Sequence, residues 1–135
     1  MKKAIIFLRI SYWVGAVLDG LMLIPMLFPG IGGNIFGLGD FDPGPEYRYA
    51  MYMGAALMAG WTVLLIWADR KPLERKAILL ITVFPVVVGI MMAGIYTVLS
   101  GLVNFVNLIP TLVLQIFLIA FFLFSYFYAR SAEKS

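Results

Sequence analysis

No cysteine and no histidine occurs among the 135 residues of this chain. Without thiols it forms no disulfide, no cysteine-ligated zinc site and no thiolate-held iron–sulfur cluster; without imidazole it forms no His-ligated zinc or haem site. The missing histidine also removes the usual general base near neutral pH. Charge is scarce too, at 13% of residues, against about 25% in soluble domains. No complete catalytic, cofactor or metal motif is present, and the expectation is a protein that is not an enzyme and carries no cofactor.

What fills the chain instead is apolar. Hydrophobic residues make up 63% and the mean hydropathy is +0.99, where soluble domains hold roughly 45–50% apolar residues. A soluble fold of this size could not hide that much apolar surface, but lipid covers it. The net charge of +3 sits in short clusters between apolar runs, as membrane orientation signals do, so no nucleic-acid partner is expected.

The pattern predicts an all-α fold, a four-transmembrane-helix antiparallel bundle forming one membrane domain over residues 1–135. Its helices are expected at about 4–28, 45–68, 73–99 and 110–128. The first run is ~37 Å long as a helix, enough to cross a ~30 Å hydrocarbon core with tilt. Lys2 and Lys3 ahead of an apolar run resemble a signal peptide. Arg9 interrupts that run, and it continues without a small-residue cleavage site, so a retained helix is expected. The Gly- and Pro-rich stretch from Pro29 to Glu46 reads as a loop, with Pro45 in the first turn of the second helix and Asp42 or Gly44 as its cap. Asp69-Arg70-Lys71-Pro72 reads as a tight turn that makes the second and third helices antiparallel neighbours.

Charge orients the bundle. Lys2, Lys3, Arg9, Arg70, Lys71, Arg75, Lys76, Arg130 and Lys134 fall on one side, and Arg48 alone on the other. The positive-inside rule then places both termini and the turn containing Asp69, Arg70, Lys71, Arg75 and Lys76 in the cytoplasm. The acidic loop with Asp40, Asp42 and Glu46 faces outward. Tyr12, Trp13, Tyr47, Tyr49, Tyr52, Trp67, Tyr96, Tyr126 and Tyr128 fall mostly near helix ends, as an aromatic belt does.

Lipid gives apolar helices little reason to associate, so small residues and polar contacts must join them. Small pairs at four-residue spacing occur at Ser11/Gly15 and Ala16/Gly20, at Ala50/Gly54, Ala55/Ala59 and Ala56/Gly60, and at Gly89/Ala93. The second helix is the richest and is expected at the centre of the bundle. Packing within one chain accounts for these pairs more simply than a dimer face does. Pro25 and Pro85, inside helical runs, are expected to bend them.

Asp19 is the outlier. It falls near mid-membrane, where an aspartate costs about 2.5–3.5 kcal/mol to insert, so it should face protein or water. Arg48, Tyr52, Tyr96, Gln115, Asn104 and Asn107 are the candidate partners, making a polar or ion site in the outer half. A structural hydrogen bond to a neighbouring helix explains Asp19 more simply than proton or cation handling. Arg9 is expected to snorkel to the headgroups. Asp40-x-Asp42-x-Gly44-x-Glu46 lacks the twelve-residue frame of a calcium loop and reads as a stiff turn.

Three segments carry a resemblance: Pro45-Glu46-Tyr47-Arg48-Tyr49-Ala50-Met51, Gly60-Trp61-Thr62, and Trp67 through Lys76. With Tyr12-Trp13-Val14-Gly15 they resemble a group of small prokaryotic four-helix membrane proteins without assigned function. That resemblance implies a multi-pass protein of a prokaryotic plasma membrane and supplies no catalytic residues. The turn Asp69–Lys76 also resembles the basic turn between helices two and three of major-facilitator transporters, with Pro72 in place of its glycine. The expected role is an accessory, scaffold or binding subunit, with the lipid bilayer and a membrane-protein partner or further copies around it. The alternatives are a homo-oligomeric transporter or channel using Asp19, and, third, a lipid-active enzyme.

Overall fold

The structure, a computed structural model, describes residues 1–135. It is all-helical: α1 (Lys2–Leu27), α2 (Pro29–Ile35), α3 (Pro45–Asp69), α4 (Ala77–Ile81), a π-helical segment (Thr82–Val87), α5 (Val88–Leu99) and α6 (Phe105–Lys134). Counting Ala77–Leu99 as one span, four helices of 26, 25, 23 and 30 residues are long and apolar enough to cross a membrane.

Local chemistry sets the boundaries. Pro45 opens α3 in its first turn, after an extended Gly44 with φ −69° and ψ 175°. There the missing N–H of proline costs nothing. In the third span Phe84 leaves helical geometry, at φ −121° and ψ 113°. Pro85 follows it through a cis peptide bond. The other differences from the sequence-based bounds lie at Pro29–Ile35, at the third span and at both ends of α6. The third span begins at Ala77 instead of 73 because residues 72–76 form a turn, and α6 runs over Phe105–Lys134 instead of 110–128. Pro29 begins a short helix where a loop was expected. That helix folds back on α1 so closely that a Cβ on Gly32 would lie 3.1 Å from the Pro25 carbonyl oxygen. α6 begins five residues before Pro110, which sits inside it, as membrane helices tolerate.

The centre of the bundle is α1, not the helix richest in small residues. α1 packs most extensively against α3 and next against α6. Its buried residues, Ala4, Leu8, Ser11, Tyr12, Gly15 and Ala16, form one stripe, and α6 answers with Leu118, Phe122, Ser125 and Ala129 at alternating spacings of four and three. That spacing keeps a single face turned toward a neighbouring helix. α3 buries only Ala55, Leu65 and Ala68. The third span makes its closest backbone approach to α6, and it touches α3 through the Trp61–Thr82 hydrogen bond. Tyr12 also departs from the aromatic belt: it is fully buried, and its hydroxyl donates to the Pro72 carbonyl at 3.0 Å.

The tight core occupies one half of the bundle. Ala4, Leu8, Tyr12, Leu65, Ala68, Leu79, Val83, Phe122 and Ala129 gather toward the end that carries both termini and the turn after α3. Arg9–Asp69 and Lys76–Glu133 ion pairs bring these segments together at that basic end. Toward the opposite end, where α2 and the acidic loop lie, burial thins out, and α5 buries no residue.

Candidate functional site

Three helices meet at Gly15. A Cβ there would lie 2.9 Å from Leu65 Cδ1 of α3 and 3.2 Å from Phe122 Cζ of α6. Asp19 is one turn further on, on the same face of α1, so it faces the seam between α1, α3 and α6 just beyond the tight core. Gly20 beside it lies against Thr62 of α3. The Oδ2 atom of Asp19 is buried and has no hydrogen-bond partner.

Gln115 continues the buried stripe of α6 outward from Phe122 and Leu118. It is only 8% exposed, and its Oε1 also lacks a partner. The two residues share a depth. Ser11 and Ser125 are bonded at 2.8 Å across the α1–α6 contact. Counting outward from that bond, Asp19 lies ~12 Å and Gln115 ~15 Å along helices of 1.5 Å rise. These are the two buried side-chain oxygens or nitrogens in the molecule left without a bond.

The other expected members of this site lie elsewhere. Arg48 turns to its own loop, donating from Nη2 to Asp42 Oδ1 at 2.6 Å and from Nε to the Pro43 carbonyl at 3.2 Å. Tyr52 is 46% and Tyr96 70% exposed. Asn107 donates to the Phe36 carbonyl at 3.1 Å and so ties α6 to the segment after α2. Asn104 precedes α6 without a side-chain capping bond. Of the candidates, Gln115 alone shares the depth of Asp19.

Between Asp19 and the basic end every buried polar side chain is engaged. Ser11 donates to the Phe7 carbonyl at 2.9 Å and is bonded to the Ser125 hydroxyl at 2.8 Å. Trp61 Nε1 donates to Thr82 Oγ1 at 3.0 Å, Thr82 to Ile78 O, and Thr62 to Met58 O. Tyr12 closes on Pro72. No chain of free polar groups runs inward from Asp19.

At the basic end the turn is latched on several sides. Arg9 grips Asp69 with two hydrogen bonds of 2.8 and 3.1 Å instead of reaching only for headgroups. Arg75 stacks 3.3 Å over the Trp67 ring and donates to the Trp67 carbonyl. Lys76 bonds Glu133 of α6 at 2.8 Å, and Lys71 pairs with Glu74 at 3.1 Å. Arg70 is left unpaired beside an open concavity of about 420 Å³ bordered by Ile5, Arg9, Asp69 and Glu74. Sequence reasoning missed the Ser11–Ser125 and Arg9–Asp69 pairs, although both serines stand on the buried stripes.

Compared with protein-family models, curated proteins and solved structures, the chain matches none.

Proposed function

We propose that this chain is an accessory or scaffold subunit of a membrane assembly, and that it offers one face of α3 to a transmembrane helix of a partner protein. In this reading the nine basic residues hold the latched end in the cytoplasm of a prokaryotic cell, with the acidic loop outside. The role is binding, not catalysis.

One observation carries the reading. Tyr49, Met53, Ala56, Gly60, Val63 and Trp67 form a continuous stripe on α3, and every one of them is exposed. The middle of the stripe is small: nothing lies within 4 Å of a Cβ at Gly60. Ala56 and Gly60, four residues apart, leave a dent that lets another backbone approach closely, and aromatic rings flank it at both ends. Gly89 and Ala93 form a second exposed small pair on α5, and Gly89 is likewise free of neighbours. The chain itself uses Gly15, Ala16 and Ala55 for internal packing, so these two pairs are surplus to its own fold.

The test is the mass and composition of the tagged protein, solubilised gently from its host and analysed by native mass spectrometry. A stoichiometric foreign subunit is expected. A homo-oligomer alone would move the assignment to a transporter built from copies of this chain, and a lone monomer would contradict the reading.

A further inference from the structure

We propose that Asp19 and Gln115 form a mid-membrane binding site for a monovalent metal cation, on the loop-end side of the tight core. The proposal is independent of the partner-helix reading, because neither residue lies on the exposed stripe of α3.

The argument starts from two orphaned atoms. Asp19 Oδ2 and Gln115 Oε1 are both shielded from the surroundings, and neither accepts a hydrogen bond. A buried polar group without a partner costs free energy comparable to a lost hydrogen bond, and a buried carboxylate costs far more. Most native proteins therefore satisfy such atoms with protein, water or an ion. The donors expected from the outer half are turned elsewhere: Arg48 is bound to Asp42 and Pro43, and Tyr52 and Tyr96 lie exposed. The nearby hydroxyls of Thr62 and Thr82 donate to their own helices.

The chemistry of the two atoms selects the ligand. Both are oxygens that act as acceptors, so the missing partner is a cation or a donor. One carboxylate supplies one negative charge, which a single monovalent cation neutralises. No group of three acidic or otherwise metal-ligating side chains exists in the molecule, so the anionic cage that divalent ions take is not built here. Asp19 and Gln115 stand on different helices, α1 and α6, each continuing the face that meets at Gly15 and Phe122, within about one turn of the same depth. Water completes the coordination of an ion held by so few protein oxygens. Access is from the loop end, because toward the basic end the Ser11–Ser125 bond and the packed Gly15, Leu65 and Phe122 close the seam.

The experiment uses the full chain reconstituted in nanodiscs, with radiolabelled sodium as the probe. It is repeated in potassium, and in choline chloride at equal ionic strength. Wild type is expected to bind sodium saturably, with choline failing to compete. Asp19→Asn should abolish the saturable component. Gln115→Leu should weaken it by about ten- to a hundredfold, the loss of one charge-assisted contact. Circular dichroism and a single size-exclusion peak establish that each variant is folded. If Asp19→Asn does not fold, the Gln115→Leu isotherm decides alone. Absence of saturable binding of either metal ion to wild type, or an isotherm unchanged in the folded variants, overturns the proposal.

Discussion

Single residues decide how closely the helices approach. Gly15 is the clearest case, because Leu65 and Phe122 occupy the space that any side chain there would need. Gly15→Ile is expected to destabilise the bundle by about 1–3 kcal/mol through overpacking. The change is read as a shift in the unfolding curve in mixed detergent micelles. Gly89→Ile, at a glycine with open space around it, should leave the same curve in place. Equal shifts for the two would show that the three-helix contact at Gly15 is not the tight point of the fold. The sequence made Gly15 and Ser11 visible as a small pair, but not which helix they would meet. Small residues at four-residue spacing look alike whether they face a neighbour or lipid. The same ambiguity put the centre of the bundle on α3, whose small residues are the more numerous, instead of on α1, whose few are buried.

At the scale of elements, the turn after α3 is locked to α1 by two bonds of different kinds. Tyr12 donates from a buried position to the Pro72 carbonyl, whereas Arg9 meets Asp69 with its side chain 57% exposed. Tyr12→Phe removes one hydrogen bond from a site that water reaches poorly and should cost roughly 0.5–1.5 kcal/mol. Arg9→Gln should cost less, because solvent and salt reach the pair from its guanidinium end, although the Asp69 side chain is only 11% exposed. Thermal unfolding at low and high salt separates the two: only the Arg9 contribution should fade as salt rises. The reverse order would place the latch in the ion pair. Hydropathy runs and proline positions made the four spans legible, with ends that differ by up to six residues at the third and fourth. They did not make α2 legible, because a glycine-rich segment behind a proline becomes helical only where it can pack, here against Pro25. The candidate site was half legible. Asp19 and Gln115 stood out as polar residues in apolar runs, while Arg48, Tyr52 and Tyr96 were grouped with them only as residues of the outer half. Sequence position assigns a residue to a half of the bundle but not to the seam between particular helices.

For the whole molecule, the lopsided packing matters most. One half is a sealed core held by satisfied hydrogen bonds and ion pairs; the other has two unbonded oxygens, an α5 without buried residues and a small-residue stripe on α3. A chain without native cysteine lends itself to single-cysteine labelling of its ends. Lys71→Cys and Ser135→Cys are expected to react with an impermeant maleimide only after the cell is opened, and Gly39→Cys in intact cells. The opposite pattern would invert the orientation drawn from the basic residues.

The most direct test of the partner-helix account is the native mass of the gently solubilised complex, compared between wild type and Gly60→Leu. Leucine fills the dent at the middle of the α3 stripe without meeting a neighbour inside the chain. The account predicts that Gly60→Leu folds, inserts and purifies with normal thermal stability but without the partner. A variant that keeps its partner at wild-type stoichiometry would contradict it.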